Sequence, residues 1–196
     1  SYGEDKGIFG FGYDATPSNT AVTNLVSNAG VVATDVTGVG TARRSLGACE
    51  YGEDKGIFGF GYITGSVSMT NLVSNVGVVA SDVTGVGTAR YGLAACGYGG
   101  DKGIFGYGYV SGVVSMTNLV SNAGVVGTDV TGVGTAAKHL AACEYGNDKG
   151  IFGFGKNGST YSKTNKVSNT GVVATDTASG GGVTGRTDTP AGCSYG

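Results

Sequence analysis

One phrase occurs four times in this chain of 196 residues, and that repetition constrains the fold more than any other feature. The phrase is Tyr-Gly-x-Asp-Lys-Gly-Ile-Phe-Gly-(Phe/Tyr)-Gly, and its copies begin at Tyr2, Tyr51, Tyr98 and Tyr145. The cysteines follow the same period, with spacings of 47, 47 and 50 residues between Cys49, Cys96, Cys143 and Cys193. A period of this length is typical of repeat proteins, in which each copy buries its apolar face only against its neighbours.

Composition excludes several classes of protein. The chain has 40 glycines, but they follow the long period and not a Gly-X-Y period, which excludes collagen. Hydrophobic residues make up 40% and charged residues 13%, so the chain has the apolar content that a folded core requires. No apolar run approaches the ~20 residues that span a bilayer, so we expect no membrane insertion. A net charge of −2 without a basic cluster indicates no nucleic-acid partner.

Each copy shows only β-type signals. In the copy that spans residues 88–134, short apolar runs are separated by turns rich in glycine, asparagine and aspartate, which favour tight turns. No segment has the apolar spacing of an amphipathic helix. The pattern predicts four strands per copy, here at residues 91–98, 102–109, 114–120 and 125–130.

Four short antiparallel strands per copy are the unit of a β-propeller blade. The sequence therefore predicts an all-β fold, namely a single domain over residues 1–196 that forms a four-bladed propeller of four-stranded blades. The copies cover approximately residues 2–40, 41–87, 88–134 and 135–185, and the closing strand at 187–195 is expected to pair beside residues 6–13 and complete the first blade. Closure would remove an exposed sheet edge. An excerpt of a longer array or a stacked β-solenoid is the alternative.

The copies resemble the Kelch repeat. The resemblance rests on Thr41-Ala42-Arg43, on the small-residue run to Cys49, and on Ile57-Phe58-Gly59-Phe60-Gly61. It implies a propeller, although the paired glycines are split here and the chain has no tryptophan. A second, less extensive likeness, to the chromosome-condensation regulator type of propeller repeat, rests on Tyr51-Gly52 and the same spaced glycines.

No catalytic or metal-binding constellation is visible in the sequence. His139 is the sole histidine, whereas the oxidases known on Kelch-like propellers use a copper site with several histidine and tyrosine ligands. We therefore expect no enzymatic activity, no cofactor and no metal. The even number of cysteines suggests disulfides, but equivalent positions related by rotation should lie beyond the ~7 Å limit for bridging. We expect four buried, unbridged thiols, with a ring of thiolates around an axial metal as the alternative.

Two sets of residues are candidates for partner contacts. The loops after strand two vary between copies, at residues 13–20, 62–66, 109–113 and 156–161, whereas the scaffold is repeated almost verbatim. Repeated Thr-Asn pairs could instead form equivalent weak sites for sugars, or could serve turns and contacts between blades. The candidate contact residues are Tyr13, Asp14, Tyr62, Tyr109, Lys156 and Asn157 in the loops, and Asn24, Asn71, Asn118 and Asn165 in the repeated pairs.

These features predict a non-enzymatic structural or interaction module. The near-identical glycine-rich copies resemble repeat proteins of environmental phage virions and tail appendages. That resemblance implies a virion or cell-surface location and other structural proteins as partners. The alternative is a multivalent, lectin-like propeller that binds surface glycans. A hydrolase or oxidase would require an asymmetric cluster of catalytic groups, and the sequence offers none.

Overall fold

The computed structural model describes residues 1–16, 18–160, 162–178, 184–186 and 190–194. Its described residues contain no helix and 14 strands. The strands are β1 (Gly7–Tyr13), β2 (Asn19–Val26), β3 (Gly47–Tyr51), β4 (Lys55–Tyr62), β5 (Ser66–Val73), β6 (Ala94–Tyr98), β7 (Lys102–Tyr109), β8 (Val113–Val120), β9 (Ala141–Tyr145), β10 (Lys149–Gly153), β11 (Lys156–Asn157), β12 (Ser159–Thr160), β13 (Lys163–Val167) and β14 (Thr177–Ala178).

Each copy of the repeat forms its own antiparallel sheet, which confirms the all-β expectation. The sheets have the orders β1-β2, β3-β4-β5, β6-β7-β8 and β14-β13-β10-β9, and a separate hairpin joins β11 and β12. Register is the same in equivalent copies: Ile57 lies opposite Cys49 and Leu72, and Ile104 lies opposite Cys96 and Leu119. The observed bounds of β7 and β8 match the predicted second and third strands to within one residue.

The first predicted strand is shorter than expected. Strand β6 begins at Ala94, because Gly92 has a φ of 63° and Tyr91 forms an isolated bridge with Tyr109 instead. Residues 41–46, 88–93 and 135–140 are therefore lead-in segments, which cross from one sheet to the next before each inner strand begins.

The predicted fourth strand is wrong for the first three copies. Residues 125–130 form two isolated bridges with β8, Val120 with Val126 and Thr117 with Val130, and not a continuous ladder. The cause is Asn118, whose side-chain amide donates to the carbonyl of Gly127 at 3.0 Å and to Asp129 Oδ1 at 2.9 Å. A side chain thus occupies the place of ladder hydrogen bonds, and the predicted total of 16 strands is not reached in the part of the chain that the structure describes.

The predicted closing strand lies partly outside the described residues, at 187–189 and 195. Residues 190–194 are described and form no strand, and within the described ranges β1 pairs with β2 alone. A Cβ built on Gly192 would lie 3.4 Å from Ala141 Cβ, so this segment runs beside the inner strand of the fourth copy. The pairing of residues 187–195 with residues 6–13 stays a prediction.

Glycines in the second strand of the first three copies are sockets for a ring of the next copy. A Cβ on Gly59 would lie 2.7 Å from the Phe105 ring, and one on Gly106 would lie 2.6 Å from the Phe152 ring. We expected another backbone to approach the glycines of this strand. At Gly59 and Gly106 a ring approaches instead, whereas at Gly103 the backbone carbonyl of Glu50 comes within 2.8 Å of the Cβ position. Any side chain at a socket would displace the ring, so glycine is required for the copies to pack.

A buried arginine joins neighbouring copies. Arg90 is fully buried, lies 4.2 Å from the centroid of the Phe60 ring, and donates from Nε to the carbonyl oxygen of Tyr107 at 2.8 Å. Its Nη1 donates to the Thr88 carbonyl at 3.2 Å and lies 3.9 Å from Asp129. Arg43 makes the equivalent contacts one copy earlier, with Phe11, Phe60 and Asp82.

The third interface, between the third and fourth copies, lacks this arginine and is stabilised by other contacts. Ala137 occupies the arginine position, and the aromatic residue that faces it is Tyr107, whose hydroxyl donates to the Val133 carbonyl at 3.2 Å. Lys163, where the two preceding copies have methionine, donates to Asp176 at 2.8 Å. A cation from a neighbouring strand therefore replaces the cation lost from the lead-in segment.

Candidate functional site

Aromatic and cationic side chains form a continuous row along one edge of the molecule. We call this row the rim ladder, and its members are Tyr13, Arg44, Tyr62, Tyr91, Tyr109, Lys138 and Lys156.

Each step of the rim ladder from Tyr13 to Lys138 is a close contact between side chains, and a backbone bridge joins Lys138 to Lys156. The Arg44 guanidinium lies 4.8 Å from the ring centroids of both Tyr13 and Tyr62. Tyr91 lies 5.1 Å from Tyr62 and 5.4 Å from Tyr109, and both distances suit edge-to-face or tilted aromatic pairs. The Lys138 ammonium follows at 4.3 Å from the Tyr109 ring, within the range of a cation–π interaction.

Two kinds of element position the row. Tyr13, Tyr62 and Tyr109 are the last residues of β1, β4 and β7. The residues between them come from the lead-in segments, which pair with the strand ends: Arg44 bridges to Tyr62, Tyr91 to Tyr109, and Lys138 to Lys156. Backbone pairing between copies thus fixes the spacing of the side chains, and the row crosses every interface that the structure describes.

The rim ladder carries cations that no carboxylate neutralises in the described part of the chain. Elsewhere lysines pair with aspartates, as in the repeated turns, where Lys55 lies 2.6 Å from Asp54 and Lys149 lies 2.6 Å from Asp148. No such ion pair is formed by Arg44, Lys138 or Lys156, although Arg44 donates to the amide oxygen of Asn19 at 3.0 Å. An acidic group brought to this edge would meet positive charge that is still available.

Several of the predicted loop contacts meet in this row. Tyr13, Tyr62, Tyr109 and Lys156 are all members, and Tyr13 is among the more exposed aromatic residues. Arg44, Tyr91 and Lys138 were not predicted. They recur at the repeat period, which is the signal that could have identified them.

The two other loop candidates lie beside the row. Asp14 accepts hydrogen bonds from the backbone and hydroxyl of Thr16, at 2.9 and 2.6 Å, and from the backbone of Ser18 at 3.2 Å. These bonds lower the pKa of the Asp14 carboxyl, with the Thr16 side chain as the largest cause. The carboxylate therefore organises its own loop. Asn157 is exposed in the short hairpin of β11 and β12, although that range was predicted to be a loop.

The repeated asparagines are structural in the described residues. Asn71, Asn118 and Asn165 are fully buried, so a ligand cannot reach them at this surface. Asn71 donates to the Ala80 carbonyl at 3.0 Å and to Asp82 at 2.9 Å, and it accepts from Arg43 at 2.7 Å. Of the four predicted asparagines, Asn24 is the one that is only half-buried.

The aspartates that accept hydrogen bonds from the buried asparagines have lowered pKa values. Partial burial raises the pKa of the Asp82 carboxyl, but hydrogen bonds from Thr41 and Asn71 outweigh it and the net shift is downward. The same causes act on Asp129, with Thr88 and Asn118 as the donors. For Asp176 the donors include Lys163, and its pKa is lowered strongly. These carboxyls are therefore ionised in the folded protein at neutral pH.

The inner strands β3, β6 and β9 border an open cavity of about 330 Å³. Its lining consists of Ser1 and of residues 48–50, 95–97, 142–144 and 192–194, so all four cysteine positions face the same space. The cysteines are unbridged, as predicted, but the expectation that all are buried is wrong: Cys96 is buried, Cys49 and Cys143 are half-buried, and Cys193 is exposed. Desolvation raises the pKa of the Cys49 thiol to about 12 and also raises that of Cys96, which disfavours the thiolates that metal binding requires.

The structure gives His139 a role in backbone conformation and packing, and not in a metal site. It has a φ of 56°, its N–H donates to the Gly92 carbonyl at 2.6 Å, and its ring lies over Gly92. Within the described ranges, no group of three or more His, Cys, Asp or Glu residues is arranged to hold a metal ion. The same residues include no helix of the length and hydropathy needed to cross a bilayer.

No protein-family profile matches the chain, and no curated protein sequence matches it.

Proposed function

We propose that this chain is a non-enzymatic structural and interaction module that presents the rim ladder to a partner at the surface of a virion or a cell. The observation that carries the proposal is where the copies differ. Packing residues recur almost unchanged, whereas the rim ladder contains Tyr13, Tyr62, Tyr109 and Lys156 at one repeated position and Arg44, Tyr91 and Lys138 at the other. Variation concentrated at one edge of a largely repeated scaffold is typical of a specialised contact surface.

The proposed architecture is a four-bladed propeller closed by the C-terminal segment. In its support, the inner segments of the copies, including residues 192–194, line one common cavity together with Ser1. The half-buried Glu144 lines the same cavity. Desolvation is the largest cause that raises the pKa of its carboxyl, followed by the nearby Glu50 charge. Inner strands that converge on one space are typical of blades arranged around an axis.

The packing between copies makes this scaffold suitable for display. Each described interface combines a ring in a glycine socket with a lead-in segment hydrogen-bonded to two sheets. The buried groups leave little freedom to slide, because displaced copies would leave Arg43 or Arg90 as an uncompensated buried charge. The rim ladder is therefore held at fixed spacing, which reduces the ordering cost of binding.

The chemistry of the rim ladder fits an acidic partner surface. The tyrosines provide amphipathic contact area at low cost in conformational entropy, as they do in many protein interfaces. Arg44, Lys138 and Lys156 provide charge without a carboxylate partner in the described part of the chain. Another structural protein with an acidic edge is the partner that we favour.

A glycan-binding module is the second candidate. The tyrosines of the rim ladder favour it, since aromatic rings at a surface can pack against sugar faces, and Tyr13 is exposed while Tyr62, Tyr91 and Tyr109 are half-buried. The buried asparagines do not support it, so a sugar site would have to use the rim ladder and not the Thr-Asn pairs. Replacing the asparagines by alanine would test stability more than binding.

Two variants with equal charge change test the contact edge. The first is Arg44→Gln/Lys138→Gln/Lys156→Gln, and its control is Lys6→Gln/Lys55→Gln/Lys102→Gln, which removes three cations that are paired with aspartate in the repeated turns. The probes are immobilised heparin, as a generic polyanion, and an array of neutral glycans. We expect the rim variant to lose retention on heparin and the control to keep it; equal losses would contradict the proposal.

Two further results decide between the candidates. Binding to neutral glycans that is lost on Tyr62→Ser/Tyr109→Ser would favour the lectin. Detection of the chain in purified virions or in a cell-surface fraction, with antibody against the recombinant protein, tests the proposed location. Its confinement to the cell interior would contradict it.

A further inference from the structure

Three interfaces between copies share three kinds of contact, although the third lacks the buried arginine. In each, an N–H of the earlier copy donates to an aspartate carbonyl of the later one: Gly3 to Asp54 at 2.6 Å, Gly52 to Asp101 at 2.7 Å, and Gly99 to Asp148 at 2.7 Å. A tyrosine of the earlier copy lies over a glycine of the later one, as Tyr2 does over Gly77. A phenylalanine of the later copy fills a glycine socket, as described above.

One face of the first copy is exposed, although it carries the same kinds of residue that are buried in the three interfaces. Phe9 is 64% exposed, whereas the equivalent rings are 5% exposed or fully buried at Phe58, Phe105 and Phe152. Val32 is 54% exposed, whereas Val79 and Val126 are each 8% exposed. A Cβ on Gly30 would meet no atom of the described residues within 4 Å, although its equivalents Gly77, Gly124 and Gly171 lie under tyrosine rings.

The fourth copy has the matching half. Tyr145 is 37% exposed, whereas Tyr2, Tyr51 and Tyr98 are at most 5% exposed. Among the described residues, the socket at Gly153 holds no ring: the nearest atom to a Cβ built there lies at 3.1 Å and belongs to Thr164 of the same copy.

The linking arginine is already in place on this face. Arg186 lies 4.6 Å from the Phe154 ring centroid, and its carbonyl accepts from the Gly155 N–H at 3.1 Å. The Arg43 guanidinium likewise lies 4.4 Å from the Phe11 ring centroid, and its carbonyl accepts from the Gly12 N–H at 2.9 Å. Its Nε donates to the carbonyl of Phe60, in the copy that follows Phe11.

We propose that the fourth-copy face docks on the first-copy face of the same chain and forms a fourth interface of the same kind. Phe9 enters the Gly153 socket, Tyr145 covers Gly30 and Val32, and Arg186 donates to the Phe11 carbonyl. The inference rests on the closed architecture within the proposed function and goes beyond it, because it assigns closure to side chains on two named faces and not to strand pairing alone.

The first-copy face is arranged to receive Thr184 and Arg186. Asn24 donates to Asp35 at 2.8 Å and to the Ala33 carbonyl at 3.2 Å, as Asn71 does to Asp82 and Ala80. In the intact interface, Thr41 donates its backbone N–H and its hydroxyl to Asp82. Thr184-Gly185-Arg186 is the repeat equivalent of Thr41-Ala42-Arg43, so Asp35 is the acceptor expected for Thr184.

One position departs from the pattern. Lys166 stands where the other copies have Leu25, Leu72 and Leu119, whose side chains pack beside the covered glycines. A lysine stem can cover the same apolar surface while its ammonium stays in water. The fourth interface is therefore expected to be wetter at this point than the other three.

The same chain is favoured over a second copy for two reasons. The inner strand of the fourth copy, residues 192–194 and Ser1, which directly precedes the first copy, line one cavity, so both ends of the row of copies reach the same place. Where geometry lets two parts of one chain meet, their effective concentration reaches about the millimolar range, which exceeds the protein concentration of ordinary solutions.

Photo-crosslinking tests the docking directly. The photoreactive aromatic residue p-benzoylphenylalanine replaces Phe9 in the full chain, and the protein is irradiated at about 1 µM, far below the effective concentration of tethered contacts. We expect a product of monomer mass whose crosslink maps to the peptide that contains Gly153 and Phe154. The same residue in place of Phe58 is the positive control, since that ring already contacts Gly10.

The matched negative control is the same residue at Val31. This side chain is 65% exposed, and its equivalents Val78, Val125 and Val172 stay exposed where interfaces are intact. Products of dimer mass that map to the same peptide would overturn the proposal in favour of head-to-tail association. Crosslinking at position 9 no greater than at position 31 would overturn docking altogether. Heparin retention by the rim ladder does not enter this readout, so the two proposals can fail separately.

Discussion

Replacing Arg90 by alanine should be among the most damaging single changes in the chain. The guanidinium is fully buried between two copies and makes hydrogen bonds of 2.8 and 3.2 Å to the carbonyls of Tyr107 and Thr88. Each charged hydrogen bond contributes about 1.5 kcal/mol net, and the contact with the Phe60 ring adds about 1 kcal/mol. The half-exposed Asp129, 3.9 Å away, adds little because solvent screens it.

We expect a loss of about 3 kcal/mol in the free energy of unfolding, after the cost of desolvating the guanidinium in the native protein is subtracted. In urea unfolding followed by far-UV circular dichroism, this loss lowers the midpoint by about 1.5 M if the slope is about 2 kcal/mol/M. The chain has no tryptophan, which makes circular dichroism the suitable signal.

The third interface supplies the control. There Ala137 is accompanied by Tyr107 and Lys163, so the variant Arg90→Ala/Phe60→Tyr/Met116→Lys copies that arrangement into the second interface. It should recover about half of the lost stability, because the new ammonium would then pair with Asp129 as Lys163 pairs with Asp176. A loss below about 1 kcal/mol for Arg90→Ala, or a triple variant no more stable than the single one, would refute this account of the interface.

Three further predictions concern other parts of the molecule. Ellman's reagent at pH 8 should label Cys193 first and Cys96 last in the folded protein, because Cys193 is exposed and Cys96 is buried; equal rates would contradict the burial. Stability should fall as the pH drops below about 4, since the folded pKa values of Asp82, Asp129 and Asp176 lie below the ordinary aspartate value of 3.8, and the unfolded chain therefore takes up protons first. Urea midpoints at pH 6 and pH 3 measure this, and Asp129→Asn should reduce the difference; an unchanged difference would count against the assigned role of Asp129. Finally, Gly106→Ala should destabilise by more than about 1 kcal/mol because the new Cβ meets the Phe152 ring at 2.6 Å, whereas Ala123→Ser in an exposed turn should change stability by less than about 0.5 kcal/mol.

Much of the sheet structure could be predicted from local sequence. Strands β7 and β8 follow alternation and turn residues, and the turn at Gly99 and Gly100 has the positive φ values, 65° and 79°, that glycine permits. These features depend on neighbours in the chain, and local pattern is sufficient for them.

The fourth strand could not be predicted in this way. Residues 125–130 have strand composition, but the side chain of Asn118 takes the carbonyl of Gly127 that a continuous ladder would use. The competing donor lies nine residues away, and alternation alone contains no information about it.

The rim ladder was predicted in part for a related reason. Tyr13, Tyr62 and Tyr109 were visible because they begin the variable loops. Arg44 and Lys138 are contributed by lead-in segments that reach this edge only through pairing between copies. Aligning the copies column by column would have shown position 44 and its equivalents as a second variable set.

The amide hydrogen of Gly146 gives the most direct test of the closed ring. In the three described interfaces, the equivalent amides of Gly3, Gly52 and Gly99 donate to the carbonyls of Asp54, Asp101 and Asp148. Closure predicts that Gly146 donates to the carbonyl of Asp5. Residue-resolved hydrogen exchange by NMR should then show Gly146 protected to within about tenfold of Gly52 and Gly99. Exchange of Gly146 at the rate of an unprotected amide, while Gly52 and Gly99 stay protected, would contradict the closed ring.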